Sequence, residues 1–202
     1  MKTKEILKNL NDLFPEPKCE LEYQNEYQLL VAVILSAQCT DKRVNIVTRE
    51  LFKEYGTPQT MATLSQGQLE EKIHSCGFYR NKAKNILSMT KDLLEKYNGQ
   101  VPRDLENLQS LAGVGRKTAN VVIAEAFNGD AIAVDTHVLR VSNRLGLAQT
   151  DNPLVCEKAL MKSFAKESWS KLHLQMVHFG RYICKSQNPS CDKCPFTDIC
   201  KK

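Results

Sequence analysis

Apolar residues recur at intervals of three and four along nearly the whole chain, and no stretch alternates apolar with polar residues in a sustained way. A strand needs that alternation and a helix needs the other period, so the pattern excludes most sheet folds before any motif is considered. Ile6, Leu7, Leu10, Leu13 and Phe14 make one face of a first helix, which Pro15 and Pro17 stop. Residues 27–38 are apolar almost all round, as in a helix buried within a bundle. Thr40 can cap a third helix that turns Val44, Val47, Leu51 and Tyr55 inward and ends at Gly56. Thr57-Pro58 then restarts the chain with a cap and a first-turn proline. Further helices are expected over 66–75, 81–97, 104–111, 116–127, 136–145, 153–165 and 169–182, punctuated by Gly77, Gly99, Gly129 and Gly146. The fold class is therefore all-α, built from about ten short helices.

A chain of 202 residues can bury a real core in one large domain or two small ones. Its longest apolar run, Leu29 to Leu35, is far too short to span a bilayer. The opening MKTKEILKNL breaks its apolar residues with Lys8 and Asn9, unlike a signal peptide. No membrane association is expected, and a cytoplasmic or nucleoid location follows. The net charge of +5 is compatible with a polyanionic partner but is weak support alone.

Residues 111–122 read LAGVGRKTANVV. Gly113 and Gly115 can adopt backbone angles barred to other residues and leave room for a ligand to come close. They lie between a short helix holding Leu105, Leu108 and Leu111 and a second that turns Ala119, Val122, Ile123 and Ala126 inward. Such a hairpin presents amides at the second helix's N-terminus, an anion site suited to one backbone phosphate. An ordinary helix–turn–helix with a glycine stop accounts for the glycines equally well. Lys117 falls in the first turn of the second helix, where the helix dipole opposes a cation. Residues 132–138 read IAVDTHV, and either Asp135 or Thr136 can cap the helix that carries Val138, Val141 and Leu145. A cap can also hold a carboxylate at the mouth of a cleft. His137, next to Asp135, can either orient that carboxylate or pack, and packing is the favoured reading; His173 and His178 are too far round one helix to form an obvious metal pair.

The eight cysteines divide unequally. Cys19, Cys39, Cys76 and Cys156 are scattered beside apolar residues and read as core packing. Cys184, Cys191, Cys194 and Cys200 follow the spacing C-x6-C-x2-C-x5-C, which suits a tetrahedral metal site or a cubane cluster. Spacing alone leaves zinc and iron–sulfur both open.

Taken together and in this order, these features resemble the endonuclease III family of DNA glycosylase/AP lyases. The likeness covers most of the chain, through LLVAVILSAQCTD (29–41), GFYRNKAKNI (77–86), LAGVGRKTANVV (111–122), AVDTHVLRVSNRLG (133–146), HFGRY (178–182) and the four cysteines. The resemblance implies two helical domains facing across a DNA-binding cleft. Residues 22–130 would form a helical barrel containing the helix–hairpin–helix (104–127). Residues 1–21 and 131–202 would form a discontinuous second domain with a [4Fe-4S] cluster over 184–200, held by Cys184, Cys191, Cys194 and Cys200. The cluster would position a basic loop (Lys185, Lys193) on DNA. The partner implied is double-stranded DNA carrying a damaged base, expected to be an oxidised pyrimidine, or an abasic site, with the protein acting as a monomer. Lys117 would attack the sugar C1′ of the flipped nucleotide, and the resulting Schiff base would allow β-elimination to nick the strand. Asp135 would assist base loss, Gln38 would fill the gap left by the flipped base, and Gly113, Gly115 and Arg116 would hold phosphate.

Two positions depart from the family pattern: Ala112 stands where proline is commoner, and Phe78 stands where the wedge is more often leucine, with Tyr79 a rival for that role. Two other readings compete. A monofunctional mismatch glycosylase of the same superfamily usually lacks the hairpin lysine. A non-catalytic helix–hairpin–helix module with a structural metal explains the glycines and cysteines but not Lys117 and Asp135 together.

Overall fold

The computed structural model describes residues 2–201. They form α1 (Lys2–Leu13), α2 (Glu26–Ser36), α3 (Asp41–Tyr55), α4 (Pro58–Met61), α5 (Gln66–Ile73) and α6 (Tyr79–Lys96). There follow α7 (Leu105–Ser110), α8 (Arg116–Phe127), α9 (Thr136–Arg144), α10 (Pro153–Ser163) and α11 (Trp169–Tyr182), with short 3-10 turns at Lys166–Ser168, Cys191–Lys193 and Thr197–Ile199. No strand occurs among the described residues, and no described helix is long and apolar enough to cross a membrane. The chain divides into two compact units: Cys19–Phe127, and a discontinuous unit made of the chain up to Lys18 and again from Asn128.

The unit Cys19–Phe127 is organised around α2. Every residue from Tyr27 to Leu35 is buried, because α3, α6 and α8 all pack on it. Asn25 starts α2 by accepting from the Gln28 amide at 2.9 Å, and Thr40 starts α3 by accepting from the Arg43 amide at 3.3 Å. The buried Tyr27 hydroxyl meets Thr90 Oγ1 at 2.6 Å. Thr90 gives its only hydrogen to the Ile86 carbonyl at 2.7 Å, so Tyr27 is the donor to Thr90. Burial holds this phenol well above the usual tyrosine range.

Several helices are a residue or two shorter at their ends than the sequence suggested, and two of the shifted boundaries shape the site. The helix expected over 27–38 ends at Ser36, whose hydroxyl donates back to the Val33 carbonyl at 2.9 Å. Ala37 then turns out of the helix, and Gln38 takes a left-handed backbone with φ 53°. The helix expected over 81–97 starts earlier, at Tyr79, because Phe78 with φ 58° turns the chain into it without a side-chain cap.

In the discontinuous unit α1 packs on α11, burying Ile6 and Leu10. The buried Gln175 amide donates to Asn11 Oδ1 and to the Phe14 carbonyl, both at 2.9 Å, so the polar end of this side chain is satisfied. Helices α9 and α11 cross at Gly180, where a Cβ would strike His137 Cβ at 2.8 Å. Only a glycine lets the two backbones come this close. Cys76 and Cys156 are buried, as a packing role predicts, whereas Cys19 and Cys39 are only partly covered.

Candidate active site and cysteine loop

The hairpin is a tight loop seated on the core of its unit. Leu108, Leu111, Val114, Ala119 and Val122 are all buried and fix both arms, while Ile123 and Ala126 are only partly covered. The Val114 amide donates to the Leu111 carbonyl at 3.1 Å and closes the turn. Gly113 has φ +78°, and a Cβ there would lie 2.9 Å from Asn85 Cβ, so glycine is demanded by conformation and by space. Gly115 is different. It has no left-handed backbone, and a Cβ there would meet nothing within 4 Å. Nothing within the protein requires glycine at 115; only a ligand approaching that exposed face would. Arg116 is half-buried at the start of α8, and Lys117, in its first turn, is exposed.

Gln38 and Phe78 lie on neighbouring turns of the same unit. A Cβ at Gly77 would stand 3.7 Å from the Gln38 carbonyl oxygen. Both residues are exposed and both are left-handed. Phe78 keeps 64% of its surface exposed, whereas Tyr79 packs on the core with the Arg80 guanidinium 5.3 Å from its ring centre.

Sequence reading missed Lys82. Its side chain is buried, and Nζ donates to the Leu35 carbonyl at 2.9 Å, capping α2 just before the Gln38 turn. Burial pulls this amine below the usual lysine range, with the nearby Cys76 and Cys39 thiols opposing. The signal that could have found it is register: Lys82 precedes Ile86 by four residues and Met89 by seven, on the buried face of α6.

In the discontinuous unit Asp135 is the N-cap of α9. Its Oδ1 accepts from the His137 and Val138 amides, both at 2.8 Å. Both bonds fall on one oxygen, leaving Oδ2 uncommitted to the cap. The buried run Ala131–Val134 on one side and buried Val138 on the other hold the carboxylate half-exposed. His137 lies against Gly180, and its Nδ1 is 3.2 Å from Arg140 Nη2.

Two arginines of α9 hold the start of the cysteine loop. Arg140 donates to the Gly180 carbonyl at 2.8 Å and the Cys184 carbonyl at 3.1 Å. Arg144 donates to the Lys185 carbonyl at 2.8 Å and to Cys184 Sγ at 3.2 Å, and its own carbonyl accepts the Lys201 amide at 2.7 Å. Cys184 is buried, Cys194 and Cys200 half-buried and Cys191 exposed, all as free thiols. Burial pushes the Cys194 thiol up, a backbone bond from Phe196 opposes this, and Cys184, Cys200 and Cys191 add to it, so the four sulfurs share one neighbourhood. Phe196 lies under the loop, edge-on to Phe179 with ring centres 5.2 Å apart. Lys185 and Lys193 are exposed. Among the described residues no group of three or more His, Cys, Asp or Glu is arranged to hold a metal ion.

Residues 31–166 match the HhH-GPD superfamily of base excision DNA repair proteins. A Bacillus subtilis protein named endonuclease III is 50% identical over 197 residues, covering 97% of this chain and 90% of its own. Among solved structures, a trapped covalent intermediate of endonuclease III with DNA is 50% identical, with a TM-score of 0.94 over 98% of this chain and 95% of that one. A thermostable thymine-DNA glycosylase superposes with a TM-score of 0.87 over 99% of this chain and 95% of its own, but at 21% identity that likeness shows shared fold alone.

Proposed function

The chain belongs to the endonuclease III family within the HhH-GPD superfamily of base excision DNA repair proteins, and from that premise we propose that Lys117 is its nucleophile and Asp135 the group that assists base loss. It is a DNA glycosylase and abasic-site lyase. The substrate proposed is a duplex carrying an oxidised pyrimidine, worked on by a single copy of the protein at the nucleoid. The observation that carries the assignment is the exposed Lys117 in the first turn of α8, directly after a hairpin whose both arms are anchored in the core. A relative trapped covalently on DNA supports a nucleophile of this kind.

A base inside the duplex cannot be reached, so it must be extruded at a cost of a few kcal/mol. Gly113, Gly115 and Arg116 at the hairpin, with Lys185 and Lys193 on the cysteine loop, offset that cost through phosphate contacts that read no sequence. Gln38 and Phe78 hold the gap open from their adjoining turns. The unprotonated Lys117 amine then attacks C1′ and the glycosidic bond breaks, with the electron pair leaving on the base. Asp135 stabilises the cationic sugar as the base departs, or accepts a proton during attack. Loss of the C2′ proton from the Schiff base expels the 3′ phosphate and nicks the strand.

The donor set at Cys184, Cys191, Cys194 and Cys200 fits a [4Fe-4S] cluster. Four free thiols share a neighbourhood, an arginine N–H is already aimed at Cys184 Sγ, and Phe196 lines the apolar side. A cubane spreads its thiolates round a body of irons and sulfides, so the cysteines need not close on one ion. When bound, the cluster supplies a cross-link that holds the loop's shape, and the repair chemistry remains with Lys117 and Asp135.

The test uses duplexes holding one oxidised pyrimidine or one abasic site. Wild-type protein nicks both and is captured as a covalent adduct by borohydride, which reduces the imine. Lys117→Gln loses nicking and capture while keeping most of its affinity for an abasic duplex. Capture by the Gln variant would assign the nucleophile elsewhere; excision by wild type without capture would make the protein a monofunctional glycosylase.

A further inference from the structure

Cys39 directly follows Gln38, and Cys76 precedes Phe78 by two residues. The two turns adjoin, as the approach of Gly77 to the Gln38 carbonyl shows. At their junction the Cys39 and Cys76 thiols come close enough to influence each other. The Lys82 ammonium, held by its bond to the Leu35 carbonyl, is near enough for its charge to act on both sulfurs. Cys76 is fully buried, whereas Cys39 is partly open to solvent, and neither is in a disulfide. Core packing accounts for Cys76 as a small apolar side chain, but not for a second thiol placed against it at the surface end. Burial pushes the Cys76 thiol up to about 11, Cys39 adds to this, and Lys82 and Arg43 pull it back.

We propose that Cys39 and Cys76 form an oxidation site, converted by a hydroperoxide to a disulfide that ties the Gln38 turn to the Phe78 turn. The partly open Cys39 meets the oxidant first. Its sulfur attacks the peroxide, the O–O bond breaks, an S–O bond forms, and one molecule of alcohol or water leaves with the thiol proton, giving a sulfenic acid. Cys76 then attacks that sulfur: the S–S bond forms, the S–O bond breaks, and water leaves with the second proton. Two electrons pass from the thiol pair to the peroxide. Thiols carried on turns that adjoin, each beside the point of approach, need little backbone movement to bond, and Lys82 steadies the negative charge on the attacking sulfur. The bond fixes the separation of two turns that must move with the DNA as a base flips out. This consequence for turnover rests on the gap-filling roles proposed above; the bond itself does not.

The experiment treats the full-length, cluster-containing protein with hydrogen peroxide, blocks remaining thiols by alkylation, and maps the tryptic peptides by mass. The expected product joins the Cys19–Lys42 fragment to the Ile73–Arg80 fragment, two hydrogens lighter than the separate peptides and split by dithiothreitol. Cys39→Ser abolishes the link and Cys19→Ser leaves it, since the first fragment holds both cysteines. Alkylation of both Cys39 and Cys76 after oxidation, a link through Cys19, or Cys39 halted as a sulfinic acid overturns the proposal. In the same samples, linked wild type should lose most of its turnover on a duplex lesion, recover with dithiothreitol, and keep nicking a single-stranded abasic site; Cys76→Ala should show no peroxide-dependent loss. A link formed with duplex turnover unchanged upholds the oxidation site and sinks the gap-filling roles of Gln38 and Phe78. A loss of turnover without the link sinks the oxidation site.

Discussion

Asp135 does two things at once, and two substitutions separate them. Its Oδ1 receives two amide bonds at the start of α9, an arrangement that asparagine reproduces and alanine cannot. Asp135→Ala should therefore cost about 1–2 kcal/mol of stability. For a chain of this size that lowers the melting temperature by roughly 2–8 °C. Asp135→Asn keeps both bonds and loses only the interaction of a charge with the helix N-terminus, about 0.3–1 kcal/mol. Catalysis should not follow that order. Both variants lack the charge that stabilises the departing base's sugar, so both should slow base excision by about a hundredfold or more. A hundredfold is close to 2.7 kcal/mol of barrier. Cleavage of a pre-made abasic site should suffer less, because no base is expelled there. The assays are thermal melting followed by helical circular dichroism, and single-turnover release of an oxidised pyrimidine compared with nicking at an abasic site. If Asp135→Asn excises at the wild-type rate, the carboxylate is a cap and nothing more, and the reasoning fails.

Gln38→Ala should lower turnover on duplex lesions far more than on a single-stranded abasic site, where no gap needs filling; Phe78→Ala should match it, and an effect confined to Tyr79→Ala would move the wedge to the neighbouring ring. Purified protein should be yellow-brown with iron in excess of zinc, and Cys194→Ser should weaken DNA binding through its loop without ending borohydride capture. A colourless, active protein with one zinc would overturn the iron–sulfur assignment. Burial raises the Glu125 carboxyl from its ordinary 4.5 to about 7. The folded chain thus holds a proton that the unfolded chain has lost, and stability should decline as pH rises through that window. Glu125→Gln should flatten the decline, matching wild type near pH 4.5 and exceeding it by up to a few kcal/mol near pH 8 in melting experiments.

Helix positions were readable because their signals are local. Thr40, Thr57 and Asp135 cap the helices that begin after them, and Gly56 ends α3. The hairpin lysine and the cysteine spacing were legible for the same reason. Partners distant in the chain were not. Nothing in VLRVSNR announces that Arg140 and Arg144 reach carbonyls some forty residues later. The left-handed turns at Gln38 and Phe78 were also hidden, since neither residue type signals positive φ as glycine does at 113. Lys82 was obscured by its charge, which reads as solvated until its carbonyl partner is known.

The division of the chain at Lys18 and Asn128 also bears on synthesis at the ribosome. Cys19–Phe127 emerges as an uninterrupted stretch and can close its core while translation continues. Helix α1 is made before that stretch but can be buried only after it: Ile6 and Leu10 belong to a core completed by α11 and Phe196. Until those later segments are released, an amphipathic helix waits with its apolar face uncovered. The cysteine loop emerges after α11, so loading of a cluster and closure of the discontinuous core belong to one later event, and a chain cut short before that loop would yield one closed unit trailing an open one.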